Sequence, residues 1–388
     1  MTGFIYRKII KPILFKFPAD DVHSYFLKVG RKLGKNKFSK WFLGNIFAYK
    51  SSILGQEKLG IVFKNPVGLA AGFDYDADLI NILPSIGFGF NTIGTVTHLP
   101  YEGNPRPMLG RLPKSKSLLV NKGFKSRGID LVLKKVSKSR KKFSQLSDVK
   151  HPTSYTWENK NPLGISIGST NKVYKSLDEM AEDIILAFKK VVEVDYFDYY
   201  EINISCPNLI NASCFTNTFD NPEGLDMLLT KLSVFNFSHP VFIKMHLEEG
   251  VEESLALVEI ASHYKWISGL IFSNLAKDRS NPAFDKSEIS KAGKGNFSGK
   301  PTEKHSNELL SEVYKKYGNR FLLVGCGGVF TGSDAYEKIK RGATLVQMIT
   351  GMIYQGPGQI GIINKELAYL LKKDGYKNIS EAIGAYYK

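Results

Sequence analysis

From Val67 onward the chain alternates eight short apolar runs with longer segments of helical period, and few folds can absorb that order. The runs are 67–73 (VGLAAGF), 88–97 (FGFNTIGTVT), 163–169 (LGISIGS), 199–205 (YYEINIS), 240–246 (PVFIKMH), 269–275 (GLIFSNL), 321–329 (FLLVGCGGV) and 344–350 (TLVQMIT). Between them lie segments such as SLDEMAEDIILAFKKVV, with Leu177, Met180, Ile184 and Phe188 on one helical face. Another is EESLALVEIASHY, with Leu255, Leu257, Val258 and Ile260. Strands that alternate with helices pair in parallel, and eight of them can close on themselves, which removes both sheet edges. The expected fold is therefore α/β, an eight-stranded parallel β/α barrel with a small N-terminal helical extension; an open doubly wound sheet is the alternative. At 43% hydrophobic residues over 388 positions the chain can bury a core of that size. Two long connections interrupt the order, at 137–162 and 291–301, and loops of that length read as lids or disordered insertions.

A barrel places chemistry at the C-terminal ends of its strands. Read there, the runs end in Ala71 and Gly72, Thr95, Ser166, Asn203 with Ser205 and Cys206, Lys244, Ser273 and Asn274, Gly327 and Gly328, and Thr350 and Gly351. These are small, hydroxyl, amide, thiol and ammonium groups. Glycine pairs after the last two strands suit a phosphate cradled by backbone N–H groups, although GCGG alone also describes a tight turn.

The surface is basic, with 53 Lys and Arg against 37 Asp and Glu, which favours anionic partners such as phosphates or anionic lipid headgroups. No nucleic-acid partner is expected. Three cysteines without paired spacing speak against a disulfide framework, and Cys206 and Cys214 lack the spacing of a zinc site, so no metal is expected. No apolar run is long enough to span a bilayer. The N-terminus instead interleaves Phe4, Ile5, Ile9, Ile10, Ile13, Leu14, Phe15 and Phe17 with Arg7, Lys8, Lys11 and Lys16. After Pro18, Asp20 or Asp21 can cap a helix bearing Val22, Tyr25, Phe26, Val29 and Leu33; Phe38, Trp41, Phe42, Ile46 and Phe47 follow. Residues 1–48 thus read as a membrane-surface module ahead of a barrel over 49–388, although both helices could simply pack on the barrel.

The motifs NPVGLAAGFD, IGTVTHLPYEGNPRP, NISCPN, FSGKP, GCGGV and VQMITGMIYQGP occur in this order from Asn65 to Pro357. Together they resemble dihydroorotate dehydrogenase, and the helical extension resembles its quinone-reducing class 2 branch. The resemblance implies an FMN-containing barrel that oxidises dihydroorotate to orotate in pyrimidine (UMP) synthesis and passes electrons to a membrane quinone. It implies a peripheral position on the cytoplasmic face of the cell membrane, as monomer or homodimer. By the same resemblance Ala71, Gly72, Thr95, Ser166, Asn203 and Ser273 contact the flavin, with Lys244 at its pyrimidine end. Ser298, Gly299, Gly327, Gly328, Ile349 and Thr350 surround its phosphate, and Asn121, Phe124, Asn203, Asn208 and Asn274 hold the substrate.

The resemblance also implies that Cys206 occupies the catalytic-base position, where it would take a proton from substrate C5 as a hydride leaves C6 for the flavin. A thiol, with a reference pKa of about 8.5, titrates far closer to neutrality than a hydroxyl. Class 2 members carry serine there, whereas cysteine belongs to class 1. Tyr75 stands where the family has a lysine for the substrate carboxylate, Ser166 replaces an asparagine, Ile349 replaces an aromatic, and NKGFK is one residue short. Lys122, Lys125 and Arg127 are the cations available to replace that lysine. A flavoenzyme of this fold with another substrate or a soluble acceptor (fumarate or a nicotinamide-linked partner), and a flavin-binding protein without turnover, stay open beside the first reading.

Overall fold

A computed structural model describes residues 2–144, 161–205, 208–209, 219–246, 250–272 and 274–388. Eight parallel strands form one closed barrel: β1 (Val67–Leu69), β2 (Phe90–Val96), β3 (Leu163–Ile167), β4 (Tyr199–Asn203), β5 (Val241–Lys244), β6 (Ile267–Phe272), β7 (Leu322–Cys326) and β8 (Leu345–Met348). Each apolar run of the sequence supplies one strand. Closure runs through β8 beside β1, where Val346 pairs with Val67 and Gln347 with Gly68, and this rules out the open sheet.

Side-chain alternation divides each strand between two environments. Ile93, Ile165, Ile202, Ile243, Leu270 and Leu323 face outward and join the helices in the main core. The helix Leu177–Val192, capped by Ser176, buries Met180, Ile184 and Phe188 against them, as its period requires. Inside, Phe90, Tyr199, Phe242, Ile271, Val324 and Leu345 fill the lower half of the barrel. The floor is closed by a hairpin, Gln56–Lys58 with Ile61–Phe63, which inserts Phe63 edge-on to Phe90 at 5.4 Å. Its two-residue turn has positive φ at both positions, Leu59 at 54° and Gly60 at 72°, the geometry that matches strand twist.

Two expectations about connections change. Residues 137–144 continue the helix Ile129–Ser144 rather than belonging to a loop, and 145–160 lie outside the described residues. The Gly/Lys-rich connection is not simply an insertion: Asn296–Gly299 pairs antiparallel with Ser117–Val120, which pairs with Leu109–Leu112, in a three-stranded sheet.

The N-terminal segment carries helices at Ala19–Leu33 and Lys37–Phe47. Asp20 and Asp21 do not cap the first, whose N-cap residue is Pro18 without a side-chain hydrogen bond. Asp20 is buried and accepts the N–H groups of Met108 and Leu109 at 3.0 and 3.3 Å, at the start of an edge strand of the three-stranded sheet; Asp21 pairs with Arg106 at 2.9 Å. Leu27 packs with Leu79 and Ile82 in a core shared with the barrel. Among the described residues, no helix is long and apolar enough to cross a membrane.

Candidate functional site

The upper half of the barrel interior is polar. Asn203, the last residue of β4, donates to Thr95 Oγ1 at 2.7 Å, and Thr95 shares a hydrogen bond with Ser166 at 3.1 Å. Lys244 ends β5 opposite Asn203, is almost fully buried, and points its ammonium 3.9 Å from Glu201 Oε1. Ser205 donates to Asn203 Oδ1 at 2.9 Å, and Asn274 Nδ2 donates to the Ser205 carbonyl and hydroxyl at 2.6 and 2.8 Å. Cys206 and Ser273 lie outside the described residues.

Beside this cluster the chain makes close turns. Gly327 and Gly328 follow β7 with φ of 106° and 72°, and a Cβ on either would meet Thr302 or Glu303 at 2.5 or 2.3 Å, so only glycine fits. Ser298, Gly299 and Thr350 come together from the three-stranded sheet and the end of β8, with Ser298 and Thr350 hydroxyls 2.8 Å apart.

A third group surrounds Asn104, which sequence reasoning left unassigned inside a motif it had singled out. Asn104 donates to Asn121 Oδ1 and to the Asn208 carbonyl, each at 3.0 Å, and accepts from Tyr101 and Asn171 at 2.6 and 3.1 Å. Asn208 in turn donates to the Val120 carbonyl at 3.2 Å and accepts from Asn296 at 2.7 Å. Nothing in spacing marks Asn104, Asn171 or Asn296, because their elements meet only in the fold.

One cavity of ≈ 400 Å³ joins these groups. Ala71, Gly72, Thr95, Phe124, Asn203, Asn208, Lys244, Asn274, Ser298, Gly299, Gly327, Gly328, Ile349 and Thr350 all line it. Ser166, Asn121 and Asn104 are not on its wall; Ser166 stands behind Thr95, and Asn121 is bonded to Asn104, which in turn bonds the wall residue Asn208. The cavity continues outward between the two N-terminal helices, past Val22, Phe26, Val29, Leu33, Leu43 and Phe47.

At the junction of its polar and apolar halves sit three groups the sequence placed apart. Lys122 Nζ lies 4.6 Å from the centre of the Tyr75 ring and 3.1 Å from His23 Nδ1, while His23 Nε2 meets the Phe73 carbonyl at 2.9 Å. Burial pushes the Lys122 ammonium down to about 7, against the pull of Asp20. Burial, and then the Lys122 charge, hold His23 well below the ordinary histidine range, so it is neutral. Asp74 fixes the loop carrying Tyr75 by accepting the N–H groups of Asp78 and Leu79 at 2.7 and 2.9 Å. Of the other cations, Lys125 is engaged by Glu102, and Arg127 is exposed. Arg111 and Tyr6, neither foreseen, also line the passage, and Arg111 stacks on Phe15 at 4.5 Å.

A closed β/α barrel whose strand ends join a buried ammonium, hydroxyls and amides to paired glycine turns is the framework of a barrel enzyme that handles a phosphate-bearing organic cofactor. The family model described as Dihydroorotate dehydrogenase matches residues 53–371, and the chain belongs to that family. It is 34% identical over 365 residues to a dihydroorotate dehydrogenase (quinone) of Christiangramia forsetii, covering 94% of this chain and 98% of that one. It is 32% identical over 396 residues to the protein of the same description from Trichodesmium erythraeum, covering 98% of each. The structure of the Eimeria tenella enzyme in complex with ferulenol superimposes with a TM-score of 0.79 at 25% identity, over 97% of this chain and 99% of that one.

Proposed function

We propose that this protein oxidises dihydroorotate to orotate and delivers the electrons to a membrane quinone, in pyrimidine biosynthesis. The observation that carries the reading is the single cavity that runs from the Lys244 and asparagine cluster to the apolar faces of the N-terminal helices. It offers a polar end for a ring substrate and an apolar end for a lipid-soluble acceptor.

The residues present fit FMN. Gly327 and Gly328 line the cavity in a turn packed so closely on Thr302 and Glu303 that only glycine is admitted, and their N–H groups take part in no turn or loop hydrogen bond among the described residues. Bound FMN supplies the two-electron chemistry, taking electrons from the substrate and passing them on. In this reading Gly299, Gly327, Gly328, Ser298, Ile349 and Thr350 hold its phosphate, Ala71, Gly72, Thr95 and Asn203 meet its ring system with Ser166 supporting Thr95 from behind, and Ser273 adds a contact. Lys244 is a fixed positive charge where negative charge develops, preorganised by its burial. Asn203, Asn208 and Asn274 orient the substrate amides, Asn121 supports Asn208 through Asn104, and Phe124 covers the substrate face. Cys206 is assigned the proton from C5. Lys122 takes the place of the cation absent at Tyr75: it lines the cavity against the Tyr75 ring and, unlike Lys125 on the same wall, has no carboxylate within ion-pair distance among the described residues, while Arg127 is exposed.

Residues 1–48 then act as the quinone-access and membrane-surface module on a barrel of 49–388, peripheral to the cytoplasmic face of the membrane. Anaerobic dihydroorotate should bleach the flavin band of the purified protein, and a hydrophobic quinone should restore it. Retention of oxidised flavin under saturating dihydroorotate would reject the substrate; restoration by fumarate but not by quinone would reject the acceptor.

A further inference from the structure

Beneath Lys244 the barrel holds an ionisable side chain that the proposed chemistry leaves unused. Glu201 stands on the inner face of β4, one pleat deeper than Asn203, and is 0% exposed. Neither of its carboxylate oxygens finds a hydrogen-bond donor among the described residues. The nearby donors are spent on each other: Tyr199 and Thr92 hydroxyls bond at 2.8 Å, and Gln347 Nε2 donates to Thr92 Oγ1 at 3.0 Å. What faces Glu201 is the Lys244 ammonium, 3.9 Å from Oε1, and it is the one cation within ion-pair distance among the described residues.

A buried polar group without a hydrogen bond is rare in native proteins and calls for an explanation, and a buried carboxylate is tolerated when an opposite charge compensates it. At low local dielectric two opposite charges at this separation attract strongly. We infer that Glu201 is a positioning residue, ion-paired with Lys244, that draws the ammonium toward the barrel floor and damps the positive potential it presents at the cofactor end of the cavity. The inference rests on the reading that FMN lies over Lys244. Reduced flavin carries negative charge, so an undamped ammonium favours the reduced form. Glu201 thereby keeps the flavin potential low enough for electrons to move on to the acceptor.

The test is the midpoint potential of bound FMN in the holoprotein, followed anaerobically against reference dyes. Glu201→Gln removes the negative charge at nearly constant shape and should raise the potential, favouring reduced over oxidised flavin by about tenfold or more, which is about 30 mV for a two-electron couple. Glu201→Asp keeps the charge and should leave the potential near that of the parent. A parent-like potential in Glu201→Gln with FMN bound overturns the inference. A second measurement does not require flavin. Lys244→Met strands the carboxylate and should lower the thermal midpoint, and adding Glu201→Gln should recover much of the loss; equal midpoints for single and double variants show that no pair exists. A parent protein that binds no FMN would instead refute the cofactor reading, and the thermal comparison would still decide the ion pair.

Discussion

Lys122 gives up much of its basicity to stand on the cavity wall, and that cost is what makes it useful. With its ammonium pushed down to about 7 and the unfolded chain near the ordinary lysine value, the unfolded state holds a proton that the folded one has released between those limits. Burial of Lys122 therefore costs stability most fully below pH 7, and the cost fades as pH rises toward 10. Lys122→Met should raise the thermal midpoint of the substrate-free protein, with the largest gain at acid pH. The same variant should weaken dihydroorotate binding by about 1.5–3 kcal/mol, the worth of a charged hydrogen bond. In the parent, dihydroorotate affinity read by flavin bleaching should fall by up to about tenfold per pH unit above 7, because the carboxylate must bring a proton back to Lys122; Lys122→Met should flatten that profile. Cys206→Ala should keep FMN yet slow flavin reduction by roughly 10² to 10⁴, the usual worth of a positioned base, measured in a single-turnover reaction. Unchanged reduction would make Cys206 a packing residue. Three cations near Tyr75 were legible in the sequence, and only the fold separates Lys122, set against the Tyr75 ring, from Lys125, paired with Glu102, and the exposed Arg127.

The eight strands and their helices were legible because long, periodic segments carry their own signal. Leu177–Val192 reads as a helix from its sequence and is one. The hairpin at 56–63 and the sheet built from 109–112, 117–120 and 296–299 were not legible, since strands of three or four residues are too short to display a period. Their roles are tertiary. Phe63 closes the barrel floor, far from the strand ends that carry the chemistry. Phe63→Ala should therefore destabilise by about 3–5 kcal/mol through the cavity it leaves. Denaturant unfolding should show that loss, while FMN content per folded protein stays unchanged.

Across the whole molecule, charge and exposed apolar surface coincide at the N-terminal helices. Phe38 and Trp41 are 67% and 63% exposed and lie on a helix that begins at Lys37, in a chain of net charge +16. Phe38→Asp with Trp41→Asp should weaken binding to anionic vesicles in sedimentation assays and slow quinone reoxidation, while flavin reduction by dihydroorotate continues at the parent rate. High salt should weaken vesicle binding of the parent only in part, since screening acts on charges and leaves the buried aromatic surface untouched. These helices are also welded to the barrel: Leu27 shares a core with Leu79 and Ile82, and Asp20 bonds Met108 and Leu109. Point substitutions on the outer face therefore separate membrane contact from folding more cleanly than removal of the segment.

What the sequence by itself determined was the barrel, the set of groups at its strand ends, and the amphipathic character of the extension, because periodicity and strand-end chemistry are local properties of the chain. What only the tertiary structure decided was which distant side chains meet. Asp20 became a strand-edge acceptor instead of a helix cap, Asn104 became the hub of the amide network, and Glu201 was placed against Lys244. Those outcomes depend on register and burial, and register is set only when the eighth strand pairs with the first and closes the barrel around its interior.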